Sequence, residues 1–291
     1  MEPPRPSLEN LEVLIKQIID KNGYDGLTEL YVLDLENREE INFAYELGEE
    51  YDPGIAFTAA SAIKIPILVS AYRVLEEPTP AYAAELIEGM IKESDNEMTD
   101  ELMETYLDRT LGPILVTENM QAIGLENTFL GGHFYPGAPL LRRYSTPANN
   151  RLDYDTDPDV YNQTTTADMG MLLDDIYQCA KTNGGTLKAV FGDEISQSEC
   201  QYMITYLTMN KTGHLLDTDL PGSTQFAHKH GWVAESDGVT RTAIDAGIFF
   251  TRGGDYIVVL GLYQPTQLIS NVADALSFQI SRAIYNYFNI S

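Results

Sequence analysis

The chain has 291 residues, 44% of them hydrophobic and 21% charged, which is enough to bury the core of one large domain or two. Its 44 acidic and 18 basic residues give a net charge of −26, and such a field repels nucleic acid and anionic membranes. No apolar run reaches the roughly 18 residues of a membrane span. We therefore expect no nucleic-acid partner and no membrane span.

The spacing of apolar residues predicts similar elements at both ends of the chain. These elements are a helix over residues 8–21 capped by Ser7, strands over 29–35, 41–46, 225–233, 242–251 and 256–263, and a helix over 270–288. Helices and strands at both ends indicate one antiparallel sheet that is built from both termini and flanked by helices.

The middle of the chain is predicted to be mostly helical, over residues 80–209. A proline-rich loop over residues 133–163 interrupts it, and long loops in compact domains are often functional. We expect a single α/β domain of the α+β type over residues 1–291. Its α/β part would span about residues 8–75 and 215–290, with an inserted helical subdomain over about 76–214.

Ser61 and Lys64 are three residues apart and therefore share one face of a helix. At a helix start, the serine hydroxyl lies in the positive end of the helix dipole. A poorly solvated lysine beside it can take its proton, which activates the serine as a nucleophile. The alternative is an ordinary amphipathic helix whose lysine extends to solvent.

Two further motifs follow in order. Ser94-Asp95-Asn96 comes just after the helix that ends at about residue 92, and Lys229-His230-Gly231 lies on a predicted strand. With the first motif, they make the chain resemble the penicillin-recognising serine enzymes, in particular the class A β-lactamase-like group. The resemblance extends from about residue 8 to residue 288, and includes the threonine run 164–166 before the sequence ADMGMLL. It implies the β-lactamase/transpeptidase-like fold.

Lys211-Thr212-Gly213 is closer to the third motif of that family than Lys229-His230-Gly231 is. It directly follows a predicted helix, however, where Gly213 would act as the C-terminal cap. The motif needs a strand that lines the site, so we assign it to Lys229.

The resemblance assigns a role to each motif residue. Ser61 attacks an acyl carbonyl, Lys64 takes its proton, and Ser94 passes a proton to the leaving nitrogen. Lys229 supplies positive charge that keeps Lys64 neutral and attracts a substrate carboxylate. The substrate-binding residues would be Asn96, His230, Gly231, Trp232 and Arg241, with the backbone N–H groups of Ser61 and Trp232 forming an oxyanion hole.

The chain departs from the family in two places. His230 replaces the usual threonine or serine, although a histidine can still donate to a carboxylate. The glutamate that activates water in the class A enzymes is not evident, since residues 145–163 contain none and the family spacing leads to Asn149-Asn150. The aspartates of this stretch are expected to be solvated, so we expect slow release of the acyl group. They are Asp153, Asp155, Asp157 and Asp159.

We therefore expect a serine hydrolase that forms an acyl-enzyme with β-lactams or related D-alanyl peptides. The alternatives are a DD-peptidase, penicillin-binding or esterase activity with slow deacylation, and a sensor without turnover. A metallohydrolase that uses His228 and His230 is a further alternative. No cofactor or metal is implied.

The remaining expectations concern the state of the protein. We expect a monomer, and an extracytoplasmic location in which the export segment is missing from this chain; a cytoplasmic location stays open. Cys179 and Cys200 are expected to be buried free thiols, with a disulfide as the alternative.

Overall fold

A computed structural model describes residues 7–210, 215–217, 220–222, 224–235 and 237–289 of the protein. The competing motif Lys211-Thr212-Gly213 lies outside the described residues.

The strands in chain order are β1 (Leu27–Asp34), β2 (Glu40–Glu46), β3 (Glu49–Tyr51), β4 (Phe57–Thr58), β5 (Phe129–Leu130), β6 (Asn162–Thr164), β7 (Gln225–Ala234), β8 (Thr240–Thr251) and β9 (Gly254–Tyr263). The α-helices are α1 (Leu8–Asn22), α2 (Lys64–Tyr72), α3 (Ala81–Lys92), α4 (Asn96–Leu102), α5 (Gly112–Ala122), α6 (Thr166–Thr182), α7 (Gly185–Phe191), α8 (Gln197–Leu207) and α9 (Ser270–Phe288).

Six strands form an antiparallel sheet in the order β3-β2-β1-β9-β8-β7. The N-terminal strand β1 pairs with the C-terminal strand β9, so the two ends of the chain meet in the centre of the sheet. The prediction of one antiparallel sheet built from strands at both ends of the chain is confirmed. β7 is its edge strand, which leaves one side of β7 without a neighbouring strand of this sheet.

Helices cover both faces of the sheet. Because side chains alternate along a strand, Leu30 and Val32 of β1 pack with α1 and α9, whereas Tyr31 and Leu33 pack on the other side with α2 and α6. Every residue of β1 is consequently buried. Burial on both faces explains why residues 30–33 form a continuous apolar run instead of an alternating pattern.

The first helix, α1, has a capping residue at each end. The Ser7 hydroxyl accepts a hydrogen bond from the backbone N–H of Asn10, and Gly23 closes the helix in the left-handed conformation at φ 63°. Four buried apolar residues at helical spacing hold α1 on the sheet, and they are Leu8, Leu11, Ile15 and Ile19.

A second, three-stranded sheet in the order β4-β6-β5 was not predicted, because its strands have only two or three residues. It fixes the long loop. β6 at the end of the loop pairs with β4, which leads to Ser61, and also with β5, which precedes the loop. Both ends of the loop are thus attached beside Ser61.

The expectation of free thiols is wrong, since Cys179 and Cys200 form a disulfide. Both residues are fully buried, as expected. The packing of α6 on α8 brings their Cα atoms to 5.9 Å, a separation that a disulfide spans. None of the helices in the described ranges combines the length and apolar character that a bilayer crossing needs.

Removing the disulfide should destabilise the protein. The bond closes a loop with a sequence separation of 21, for which the loss of chain entropy in the unfolded state gives about 3 kcal/mol. Urea unfolding of the Cys179→Ala/Cys200→Ala double variant should show a loss of this size relative to the oxidised wild type. Equal free energies of unfolding would contradict a structural role for the bond.

Candidate active site

Ser61 lies at the junction between a strand and a helix. It sits in a 3₁₀ turn, Ala60–Ile63, that runs directly into α2, so its side chain is at the N-terminal, electropositive end of the combined helix. The preceding Ala60 has a positive φ of 47°, which is unfavourable for a residue with a Cβ. Strain of this kind is concentrated at functional sites, where the surrounding structure maintains it.

Lys64 joins the first motif to the second. Its side chain is fully buried, and its Nζ donates to Ser94 O at 2.6 Å, to Ser94 Oγ at 3.3 Å and to Asn96 Oδ1 at 2.8 Å. The ring centre of Phe134 lies 5.4 Å from the same nitrogen. The predicted residues Lys64, Ser94 and Asn96 are therefore brought together, and Ser61 lines the same cavity as Asn96.

The local sequence explains the shape of the second motif. Ser94 has a left-handed φ of 56°, and Asp95 then caps α4, its carboxylate accepting from the backbone N–H of Met98 at 2.8 Å. This tight entry into the helix points Asn96 and Ser94 toward the same lysine. Asp95, in the middle of the motif, thus serves as the cap of α4.

The third motif lies on the edge strand β7, next to Ser61. Lys229 is fully buried, and its Nζ donates to the carbonyl of His230 at 3.2 Å. A Cβ on Gly231 would lie 2.5 Å from Ala59 O and 2.7 Å from Ser61 N. Only glycine therefore allows the strand to approach the backbone of the serine this closely.

The two buried lysines have lowered pKa values. Burial is the main cause for Lys64, followed by the positive charge of Lys229, and together they lower its pKa to about 7 in spite of Asp95 and Asp100. Burial lowers the pKa of Lys229 to about 8, and Asp245 opposes the shift. A large share of Lys64 is therefore neutral near pH 7, as a proton acceptor must be.

His228 and His230 lie on the face of β7 opposite Lys229, because neighbouring side chains alternate. His228 Nδ1 is 2.9 Å from Asp245 Oδ1. The amide nitrogen of Asn210 is 3.4 Å from His228 Nε2 and from His230 Nδ1. The described residues contain no group of three or more His, Cys, Asp or Glu side chains arranged to hold a metal ion.

Arg241 lies apart from the other site residues. Its guanidinium pairs with Glu235 Oε2 at 2.5 Å and with Asp237 Oδ2 at 2.6 Å, and it also donates to the carbonyl of Pro265. The described residues that line the cavity at Ser61 do not include it. Its charge is already balanced by two carboxylates of the chain.

A cavity of about 410 Å³ opens at Ser61, with Asn96 and Trp232 also in its wall. The loop after β5 forms another wall. The carboxylate of Asp100 holds this loop by accepting hydrogen bonds from the backbone N–H groups of Phe134 and Tyr135. Another cavity of about 520 Å³ lies between α1 and α9, and its described lining contains no serine or lysine.

The acidic loop differs from expectation at one position. Asp153, Asp155 and Asp157 are exposed, as predicted, but Asp159 is half buried and lines the cavity at Ser61. Burial raises the pKa of its carboxyl group. The four aspartates share one acidic sequence pattern, which does not distinguish Asp159 from its exposed neighbours. Its position directly before Val160 and Tyr161, where the chain returns to the paired strand β6, is the signal that does.

Asn149, to which the family spacing leads, is held by other residues of the loop. Its Oδ1 accepts from the backbone N–H of Thr146 at 2.8 Å, and its Nδ2 donates to Gln163 Oε1 at 2.8 Å. The part of the loop that faces Lys64 presents the Phe134 ring.

Replacing Gly231 by alanine should separate β7 from the serine turn. The added methyl would overlap three backbone atoms, which we expect to lower the free energy of unfolding by about 1–3 kcal/mol. Gly222→Ala is the matched control, because an added Cβ there meets no atom within 4 Å. Equal urea unfolding curves for the two variants would contradict the close approach.

The chain was compared with known proteins. It matches the model of the family described as "Beta-lactamase2: Beta-lactamase enzyme family" over residues 75–288. A search of curated proteins found no match.

Solved structures share the fold at low sequence identity. A mutant of PBP-A, described as an acyl-enzyme complex with penicillin G, is 22% identical with a TM-score of 0.69, over 99% of this chain and 100% of that chain. A class A β-lactamase representative from Bacteroides cellulosilyticus is 17% identical with a TM-score of 0.67, over 97% and 98%. A β-lactamase from Chitinophaga pinensis is 16% identical with a TM-score of 0.68, over 96% and 100%. With the family match over most of its length, the chain belongs to the β-lactamase enzyme family.

Proposed function

We propose that the protein is a serine hydrolase that forms an acyl-enzyme on Ser61 with β-lactams, opening the ring amide. The observation that carries the proposal is the buried amine of Lys64, which is held between Ser94 and Asn96 and has a pKa lowered to about 7. An amine of this kind, three residues after a serine at a helix start, is suited to take the serine proton.

The acylation step follows from these contacts. Ser61 Oγ attacks the carbonyl carbon as Lys64 takes its proton, and a bond forms between that oxygen and the carbon. The C–N bond then breaks, and Ser94 passes the proton from Lys64 to the leaving nitrogen. The Ser94 hydroxyl lies 3.3 Å from Lys64 Nζ, within reach of such a relay.

Substrate recognition would use site groups that take no part in the proton transfers. Because Asn96 Oδ1 accepts from Lys64, its amide nitrogen is oriented as a donor to a substrate carbonyl. The backbone N–H groups of Ser61 and Trp232 would stabilise the oxyanion, and Lys229 would attract the substrate carboxylate. Gly231 keeps β7 close enough for these contacts, whereas His230 and Arg241 are weaker candidates for the carboxylate.

A penicillin-binding activity with a long-lived adduct is the second candidate, and it includes a peptidase or sensor that uses the same serine. The aromatic ring of Phe134, whose centre lies 5.4 Å from Lys64 Nζ, gives the loop wall an apolar group beside the lysine, and this favours it. The acyl-enzyme complex described for PBP-A is consistent with this candidate. The buried disulfide supports an extracytoplasmic location for either activity.

Intact-mass spectrometry with benzylpenicillin tests the proposal. We expect an adduct with the full mass of the β-lactam, because ring opening leaves the nitrogen attached to the acyl group. Ser61→Ala should form none, and Lys64→Met should acylate about 10²–10⁴-fold more slowly.

Ser145→Ala, at an exposed serine of the long loop, is the control and should behave as the wild type. The absence of an adduct on the wild type, or an adduct on Ser61→Ala, would refute the proposed function.

A further inference from the structure

The open part of the cavity at Ser61 is acidic. Among the described residues that line this cavity of about 410 Å³, Asp159 carries the one carboxylate, and none is a lysine or an arginine. Lys64 and Lys229 are fully buried and do not belong to the lining. A substrate that fills the cavity therefore has a carboxylate beside it, away from the two lysines.

The backbone polar groups of Asp159 are bound outside the cavity. Its N–H donates to Thr58 Oγ1 at 2.8 Å, and its carbonyl accepts from Gln163 Nε2 at 2.9 Å. Neither Thr58 nor Gln163 lines the cavity. This leaves the side chain of Asp159 to form its part of the wall, and the N–H of Tyr161 holds that side chain by donating to Oδ1 at 2.9 Å.

The carboxylate of Asp159 has no cationic partner among the described residues. Burial raises the pKa of its carboxyl group, and the hydrogen bond from the N–H of Tyr161 is the one influence that opposes the shift. Asp153 of the same loop, by contrast, forms an ion pair with Arg151. A half-buried carboxylate without a counter-ion is unfavourable, so a cation that enters the cavity would relieve this cost.

Aromatic side chains form much of the remaining wall. Phe134, Tyr135, Tyr161 and Trp232 line the same cavity as Asp159. Tyr135 and Trp232 are also exposed to solvent, so their rings are accessible to a substrate. The faces of aromatic rings attract ammonium groups. One carboxylate among aromatic rings thus forms a wall that is chemically suited to an ammonium group.

The charge of the whole chain acts in the same direction. A net charge of −26 attracts cations and repels anions, including a β-lactam whose only charged group is its carboxylate. An ammonium group on the acyl side chain would offset this repulsion. The carboxylate of such a substrate would go to Lys229, and its ammonium group would meet Asp159.

We propose that the site prefers acyl donors that carry an ammonium group on the acyl side chain, and that Asp159 binds this group. The inference rests on the proposed function and specifies its substrate class. The acylation chemistry is unchanged, because Asp159 takes no part in the proton transfers. A cavity of this volume is large enough to hold the side chain of a small acyl donor.

Ampicillin and benzylpenicillin test the inference, because they differ by one amino group on the acyl side chain. The second-order rate constant of acylation is measured for each by time-resolved intact-mass spectrometry, at about pH 6.5, where an α-amino group is mostly protonated. The ratio of the two constants is then compared between proteins. The intrinsic reactivity of each β-lactam and the protonation of Lys64 cancel in this comparison.

Asp159→Asn keeps the shape of the side chain and removes its charge. We expect the ratio of the ampicillin constant to the benzylpenicillin constant to fall about 10-fold relative to the wild type, since a charge-assisted hydrogen bond is lost. Asp157→Asn is the matched control, exposed and outside the cavity lining, and should keep the wild-type ratio. A role limited to holding the loop would lower both constants equally, and an unchanged ratio would overturn the inference.

Asp159→Ser provides a second variant should Asp159→Asn fail to fold. Its hydroxyl can still accept from the N–H of Tyr161 and so maintain the turn. The same fall in the ratio is expected, and the wild-type ratio in this variant would refute the inference alone. Absence of a wild-type adduct with either β-lactam would refute the proposed function and the inference with it.

Discussion

The fold buries two lysine side chains, Lys64 and Lys229, at one junction between the sheet and the helices. Neither is exposed to solvent, and the charge of one lowers the pKa of the other. Two buried ammonium groups are costly, so such a pair persists only where hydrogen bonds and a chemical role maintain it. The carbonyls of Ser94 and His230 and the Asn96 amide accept hydrogen bonds from the two lysines, whereas burial and the charge of Lys229 lower the pKa of Lys64.

The elements around this junction hold it by close backbone approach. Gly231 lets the edge strand β7 touch the serine turn, while Ala60 and Ser94 adopt left-handed backbone angles on the two segments that converge there. The small sheet of β4, β5 and β6 then fastens the long loop to the same turn. Ser61, the cationic groups and the loop wall are thereby fixed relative to one another.

Much of this arrangement could be predicted from the sequence. The apolar periodicity of α1, β1 and α9 predicts the sheet of both termini, and the three motifs predict the groups that meet at Lys64. Short strands leave no such pattern, so the three-stranded sheet, and with it the place of Asp159, was missed. The disulfide depends on how α6 packs on α8, which local sequence does not encode. Arg241 follows the motif strand in sequence but pairs with acids beyond the end of β7.

The most direct test of this account is the pH dependence of the acylation rate, measured for the wild type and for Lys229→Met from about pH 6 to 9. In the proposed mechanism acylation requires neutral Lys64, so the wild-type rate should rise with pH through about 7, the lowered pKa of that amine. The methionine variant lacks the charge that helps lower this pKa, so its rising limb should move to higher pH. A limb at the same pH in both proteins, or a flat profile in the wild type, would contradict the account.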